Sequence, residues 1–377
     1  MSTALDAALT AVNACLANAT DQQQLVGAKV RGLLRGYDAR WADAPYVPVV
    51  VEKVLEGELH NLSNEKRIST SRTFRIAGKL DVICEYHGKR FVFDAKTTSE
   101  DIADPDSPYW RQLIVEAQPT HYLLLCWLNG IKADGAVWDC VKKPNIRPRQ
   151  LKPAELKSVV SDNPWFNEKV SEVDRNNLIA ESATDRTPIE SLAMYESRLA
   201  WDCTEVRPQY YFQRRQLPRL DQEIHQYSRE LWDMAQDVLA CRNTGRNYKS
   251  PEACMAWGRP CTFLGVCSGY DTIESDRWTR REWPHNELPV LQGDVLTNSR
   301  LRVFRQCHLK HYYSYELGLE RVDEDERESI YTGNLWHVAL EAWWKSFMKE
   351  SDHEHGHDSQ VNTACEPTGA RQTTLSL

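Results

Sequence analysis

The sequence predicts an α/β fold, and three observations carry that reading. Residues 46–59 are β-branched, with Val47, Val49, Val50, Val51 and Val54, the composition of a pleated strand. Two further alternating segments, 72–86 and 89–96, flank His87-Gly88 as paired strands flank a tight turn. Before and after these strands, apolar residues recur at spacings of three and four, the period of a helix with one covered face.

Taken in order, residues 4–41 read as helix through Leu5, Ala8, Val12 and Leu16, then Val26, Val30, Leu33 and Tyr37. Residues 107–129 read mainly as helix, with Pro119 suited to a first turn, and 133–141 as another strand. Beyond 144 the chain turns helical and polar, with a long charged helix over 220–241. Residues 251–270 form a cysteine-bearing loop, and 271–294, rich in Arg, Glu and Trp, fit a linker. Thr297 caps a helix with the face Leu301, Phe304, Tyr312, Tyr315, and a second helix follows Gly333. The polar tail after Lys349 is expected to be disordered.

At 377 residues and 41% hydrophobic, the chain can build a packed core. A net charge of −8 argues against wholesale non-specific DNA binding, although a local basic surface can still meet phosphate. Nothing approaches the roughly 18 apolar residues of a membrane span, and the start lacks a secretion signal. A cytoplasmic protein is therefore expected, whose eleven cysteines stay reduced, so that clustered ones are candidates for metal.

Asp94 and Lys96 end an alternating strand, which puts both side chains on one face and turns Ala95 away. Asp81 stands across the hairpin, so the two carboxylates can converge. Such a pair suits a hard divalent cation beside a phosphate, with the ammonium orienting water. The same residues would equally suit a hairpin with exposed charges. Gln118 and Tyr122, four apart on the next helix, share a face, and Gly333-Asn334-Leu335-Trp336-His337 places a histidine near a helix start.

Together these segments resemble the RecB-like branch of the PD-(D/E)XK nucleases, which includes AddB-type nuclease domains and the exonucleases of CRISPR adaptation. Members carry Gly-x-x-x-His on a helix, a Gly-x-x-Asp strand, an Asp/Glu-x-Lys strand and Gln-x-x-x-Tyr on a helix. The resemblance implies a restriction-endonuclease-like fold, a mixed central sheet flanked by helices, with a helical cysteine-clasped portion. It implies Asp81, Asp94, the Ala95 carbonyl and His337 as ligands of Mg²⁺ or Mn²⁺, and Lys96 as the residue that positions water. Gln118 and Tyr122 would brace the lysine or the DNA, and Glu52 would be an additional acid.

Ser299 to Cys307 also resembles the Ser-Arg-Leu-x-x-Phe-Arg-x-Cys helix of cluster-bearing relatives. With Cys254, Cys261 and Cys267 in the loop, Cys307 would hold a [4Fe-4S] cluster, structural Zn²⁺ being the alternative. Six residues separate Cys254 from Cys261 where the family has two, so Cys241 and Cys203 are substitutes. In relatives the Phe-Arg-x-Cys and Gly-x-x-x-His helices come first; here they come last. That order implies a circular permutation or a rearranged gene.

The division expected is 1–45 N-terminal helices, 46–145 catalytic core, 146–272 helical region with the cysteine loop, 273–294 linker, 295–349 permuted helices and 350–377 tail. The function implied is a monomeric, metal-dependent DNA exonuclease of DNA repair, recombination or phage and CRISPR-type processing, its helicase or recombination partner unknown. The alternative is a non-catalytic nucleic-acid-binding protein on the same scaffold. Lys142, Lys143, Arg147, Arg149, Arg214, Arg215, Arg300, Arg302 and Arg305 are candidates to track the DNA backbone, each of which could instead be a solvated surface charge.

Overall fold

A computed structural model describes residues 2–62, 68–184, 186–322 and 328–348. The N-terminal helical stretch is two helices, α1 (Thr3–Cys15) and α2 (Asp21–Trp41). The break is written locally: Thr20 accepts from the Gln23 amide and Gln23 answers to the Thr20 amide, a reciprocal cap that starts a new helix. The strands β1 (Val47–Asn61), β2 (Ser69–Tyr86) and β3 (Lys89–Thr98) follow, the last two joined through His87-Gly88, both at positive φ.

The helix expected over 107–129 is likewise two, α3 (Pro108–Ile114) and α4 (Ala117–Leu128), ahead of β4 (Gly135–Lys142). The helices α5 (Pro153–Val160), α6 (Glu172–Ser182), α7 (Leu192–Trp201) and α8 (Pro208–Tyr211) then lead to β5 (Phe212–Leu217) and the long α9 (Asp221–Thr244). The cysteine loop carries only α10 (Leu264–Ser268) besides short turns. Residues 273–294 run through β6 (Trp278–Arg280) to the start of β7 (Asp294–Leu296) and bury His285 and Leu288. Last come α11 (Asn298–Gln306), α12 (His308–His311), β8 (Leu319–Arg321) and α13 (Glu328–Lys345).

The main sheet runs β1-β2-β3-β4-β5, with β7 pairing parallel beside the first half of β2. The β3–β4 pair is parallel and the rest antiparallel, so the sheet is mixed. Each face buries its own core. On one side α1, α2 and α13 cover Val82, Phe93, Ala95 and Val137; on the other α4, α9 and α11 cover Leu80, Ile83 and Val92. This is the restriction-endonuclease-like α/β architecture expected. The C-terminal α13 packs against α1, α2, β1 and β3, and so belongs to the same core as the first helices.

Two readings change. The last helix starts at Glu328, five residues before Gly333, which therefore lies inside it. The helix carrying Cys307 stops at Gln306, because Cys307 is extended and its sulfur caps the next turn. Nine described cysteines are free thiols. The expected tail 350–377, with His353, His355 and His357, lies outside the described residues.

Candidate active site and thiol cavity

The site arises where two paired strands part. The β2–β3 ladder runs from Tyr86↔Lys89 to Val82↔Phe93 and ends there. Asp81 and Asp94 occupy the next positions, facing each other across the opening. Asp81 Oδ2 accepts from the Ala95 amide at 2.8 Å. Asp94 is buried, and its Oδ2 lies 2.5 Å from Lys96 Nζ. Burial raises the Asp94 carboxyl above the usual range, while the Lys96 ammonium holds it back.

Lys96 is tied in turn to α4. Its ammonium donates to Gln118 Oε1 at 2.9 Å, and Gln118 Nε2 donates to the Tyr122 hydroxyl at 2.8 Å. Tyr122 reaches this position because α4 lies close over Gly78, where an added Cβ would stand 3.0 Å from the Tyr122 ring. Burial, then the nearby Asp94 and Asp81 charges, push the Tyr122 phenol well up, so it stays a neutral hydroxyl. The ring of Trp138 lies 5.0 Å from the Lys96 ammonium and adds cation–π support.

From the far end of the chain α13 brings His337, whose Nδ1 lies 3.7 Å from Asp81 Oδ2. Both line one cavity with Glu52, Ala95, Asp139 and Glu341. Glu52 pairs with Lys79 and is held at φ 53°, a left-handed conformation that costs a non-glycine residue about 1–2 kcal/mol. Burial, then the Asp81 charge, raise its carboxyl to about 7. Glu341 was missed in sequence, although it follows His337 by four residues on one helical face.

The oxygen and imidazole donors suit a hard cation, and Asp94 Oδ2, buried, has the Lys96 ammonium as its close partner. Yet among the described residues no three His, Cys, Asp or Glu side chains surround one ion position. The carboxylates are turned to Lys96 and to the Ala95 amide instead. The Ala95 amide, rather than its carbonyl, makes the contact here.

The second cavity is lined by all four expected thiols, Cys254, Cys261, Cys267 and Cys307, with Lys249 and Lys310. The long first spacing folds back on itself: the Cys261 amide donates to the Cys254 carbonyl at 2.8 Å, closing the loop between them. The substitutes lie elsewhere, Cys241 against His308 Nδ1 at 3.5 Å and Cys203 beside Gly36. Burial, then the neighbouring thiols, push Cys267 up to about 11.

Several basic residues leave the tracking surface expected of them. The Arg214 side chain is 5% exposed and donates to Asp139 Oδ2 at 3.1 Å and to the Tyr37 hydroxyl at 2.8 Å. Arg300, 1% exposed, is bound by Asp294 and Glu316. Lys142 is buried against the Tyr210 ring, and Arg149 is paired with Glu155 and Glu190. Arg147, Arg302 and Arg305 are exposed.

A mixed sheet that opens between two strands onto convergent carboxylates and a lysine is the restriction-endonuclease-like arrangement. Residues 295–373 match the PD-(D/E)XK nuclease superfamily. The match includes Cys307 and His337 but neither Asp81, Asp94 nor Lys96. No curated protein and no solved structure matches the chain. No described helix is long and apolar enough to cross a membrane.

Proposed function

We propose that the chain is a metal-dependent nuclease of the RecB-like type that hydrolyses DNA from an end, with Asp81, Asp94, the Ala95 carbonyl and His337 as ligands of Mg²⁺ or Mn²⁺. The observation that carries this reading is His337. It comes from the matched C-terminal segment and stands 3.7 Å from Asp81, next to Asp94, Lys96, Gln118 and Tyr122. Residues separated by more than two hundred positions meet at one cleft within one chain, which favours a permuted fold that acts as a monomer.

The chain's own groups supply most of the chemistry. Lys96, steered by Gln118, presents an ammonium to the attacking water or to the phosphate oxygens. Tyr122 fixes Gln118 and stays protonated, so it can also donate to the DNA strand. A bound divalent ion would supply an acidified water and offset phosphate charge. Exposed Arg147, Arg302 and Arg305 offer contacts to the backbone.

We propose further that the thiol cavity holds a [4Fe-4S] cluster, with structural Zn²⁺ as the alternative. Four thiols around one cavity suit a larger group, which would join the cysteine loop to α11 away from the chemistry.

The test is digestion of end-labelled linear, circular and single-stranded DNA with Mg²⁺, with Mn²⁺ and with chelator. Metal-dependent loss of linear DNA, with circles resistant, is expected. Cleavage in chelator, or none with either metal, would overturn the reading; nicked circles would make it an endonuclease.

A further inference from the structure

Lys79 is the part of Gly78-Lys79-Leu80-Asp81 to which the nuclease reading gives no task. It lies two residues before Asp81 on the same strand, so the side chains share a face. Its ammonium contacts Glu52 Oε2. Glu52, Asp81 and Glu341 line one cavity with His337, so carboxylates from β1, β2 and α13 share it, and Lys79 meets this set through its contact with Glu52. Glu52 reaches the cavity only by adopting φ 53°, and strain of that kind persists where surrounding structure requires it.

Resting on the nuclease reading, we propose that the Lys79 ammonium stands in the place of a second divalent cation, so that the site works with one. The charges support this. With Glu52 ionised, the carboxylates Glu52, Asp81, Asp94, Asp139 and Glu341 face the ammonium groups of Lys79, Lys96 and Lys345, the last 2.6 Å from Glu341, and the Arg214 guanidinium paired with Asp139. The balance is one negative charge. One divalent ion turns it to a single positive charge, suited to a phosphodiester; a second would leave three, with no counter-charge in the cavity. Removing Lys79 instead leaves Glu52 and Glu341 without it, beside Asp81, which favours a second hard cation. Lys79 then contributes its charge to the phosphate and needs no ion of its own.

The experiment is Mn²⁺ titration of the full chain by calorimetry and by electron paramagnetic resonance, without DNA, on wild type, Lys79→Met, Lys79→Arg and Lys79→Met with Glu341→Gln. One ion per chain is expected for wild type and Lys79→Arg, two for Lys79→Met, and one again for the double variant. Lys79 is 40% exposed, so Lys79→Met should fold, and melting curves check it. With DNA, Lys79→Met should lose about 10²-fold in kcat/KM at low Mn²⁺, with part of that loss recovered at high Mn²⁺. Two ions in wild type, or one in Lys79→Met, would overturn the proposal and leave the nuclease reading standing. No Mn²⁺ bound by wild type, with no cleavage, would overturn the nuclease reading itself.

Discussion

The carboxylate cleft and the thiol cavity are built from opposite materials. The cleft is set by sheet register: the β2–β3 ladder ends at Val82↔Phe93, and Asp81 and Asp94 follow as its next positions. Its lysine is tethered through Gln118 to Tyr122 on a helix buried against the same sheet. The thiol cavity has one cysteine at the end of α11 and three in a loop that holds only short turns and the five-residue α10. A site on paired strands is preorganised by the fold. One on a loop relies on its ligand for part of its order. Removing chemical groups from the cleft should therefore cost activity and little stability, whereas removing thiols should cost stability.

The largest effect expected is on the cleft. Asp94→Ala or Lys96→Ala should lower cleavage by at least about 10³-fold, with DNA binding by gel shift and the melting temperature nearly unchanged. Full activity in either variant would remove these residues from the chemistry. A large fall in Tm would mean that the cleft is not the stable half of the comparison.

The opposite pattern is expected at the thiols. Cys267→Ala and Cys307→Ala should lower iron from about four per chain and reduce Tm by about 5 °C or more. Cys241→Ala, whose sulfur faces His308, should change neither. Colourless protein with one zinc would establish the wrong metal, and metal-free protein with unchanged Tm would show that the loop needs no ligand.

His337 tests how the two ends of the chain meet. His337→Ala should weaken Mn²⁺ binding by about tenfold or more, with the isolated monomer still folded. Unchanged affinity would leave Asp81 and Asp94 as a cleft that α13 merely covers.

What the sequence revealed follows the same division. A period of two and a short hairpin suffice to place Asp81, Asp94 and Lys96 together, because register is local. The start of α13 was misread at Gly333, since glycine ordinarily opens or ends a helix; here Ser329, Ile330 and Tyr331 already continue one. Arg214 and Arg300 read as surface charges because their partners Asp139, Asp294 and Glu316 are fixed only by tertiary packing. The convergence of four thiols was legible through the Phe-Arg-x-Cys helix. The folded-back loop that lets Cys254 reach Cys261 was not.

The smallest effect, and the one that separates packing from propensity, is at Gly78. By propensity alone, Gly78→Ala should stabilise β2 by about 0.5–1 kcal/mol, since glycine loses more backbone freedom than alanine on entering a strand. The position argues the other way. An added Cβ would stand 3.0 Å from Tyr122 Cε1 and 3.1 Å from Leu125 Cδ1, tighter than ordinary contact, and both side chains are buried in the same core. Tyr122 can give way only by moving its hydroxyl, which holds Gln118, which in turn holds Lys96. Overpacking of this kind costs about 1–3 kcal/mol, so a net loss of about 1 kcal/mol is expected in denaturant unfolding. The displacement should lower kcat, with KM little changed, because the ammonium and not the DNA contact is shifted. If Gly78→Ala proves more stable and fully active, α4 does not press on β2 at this point, and the tether from Tyr122 to Lys96 plays no part in setting the cleft.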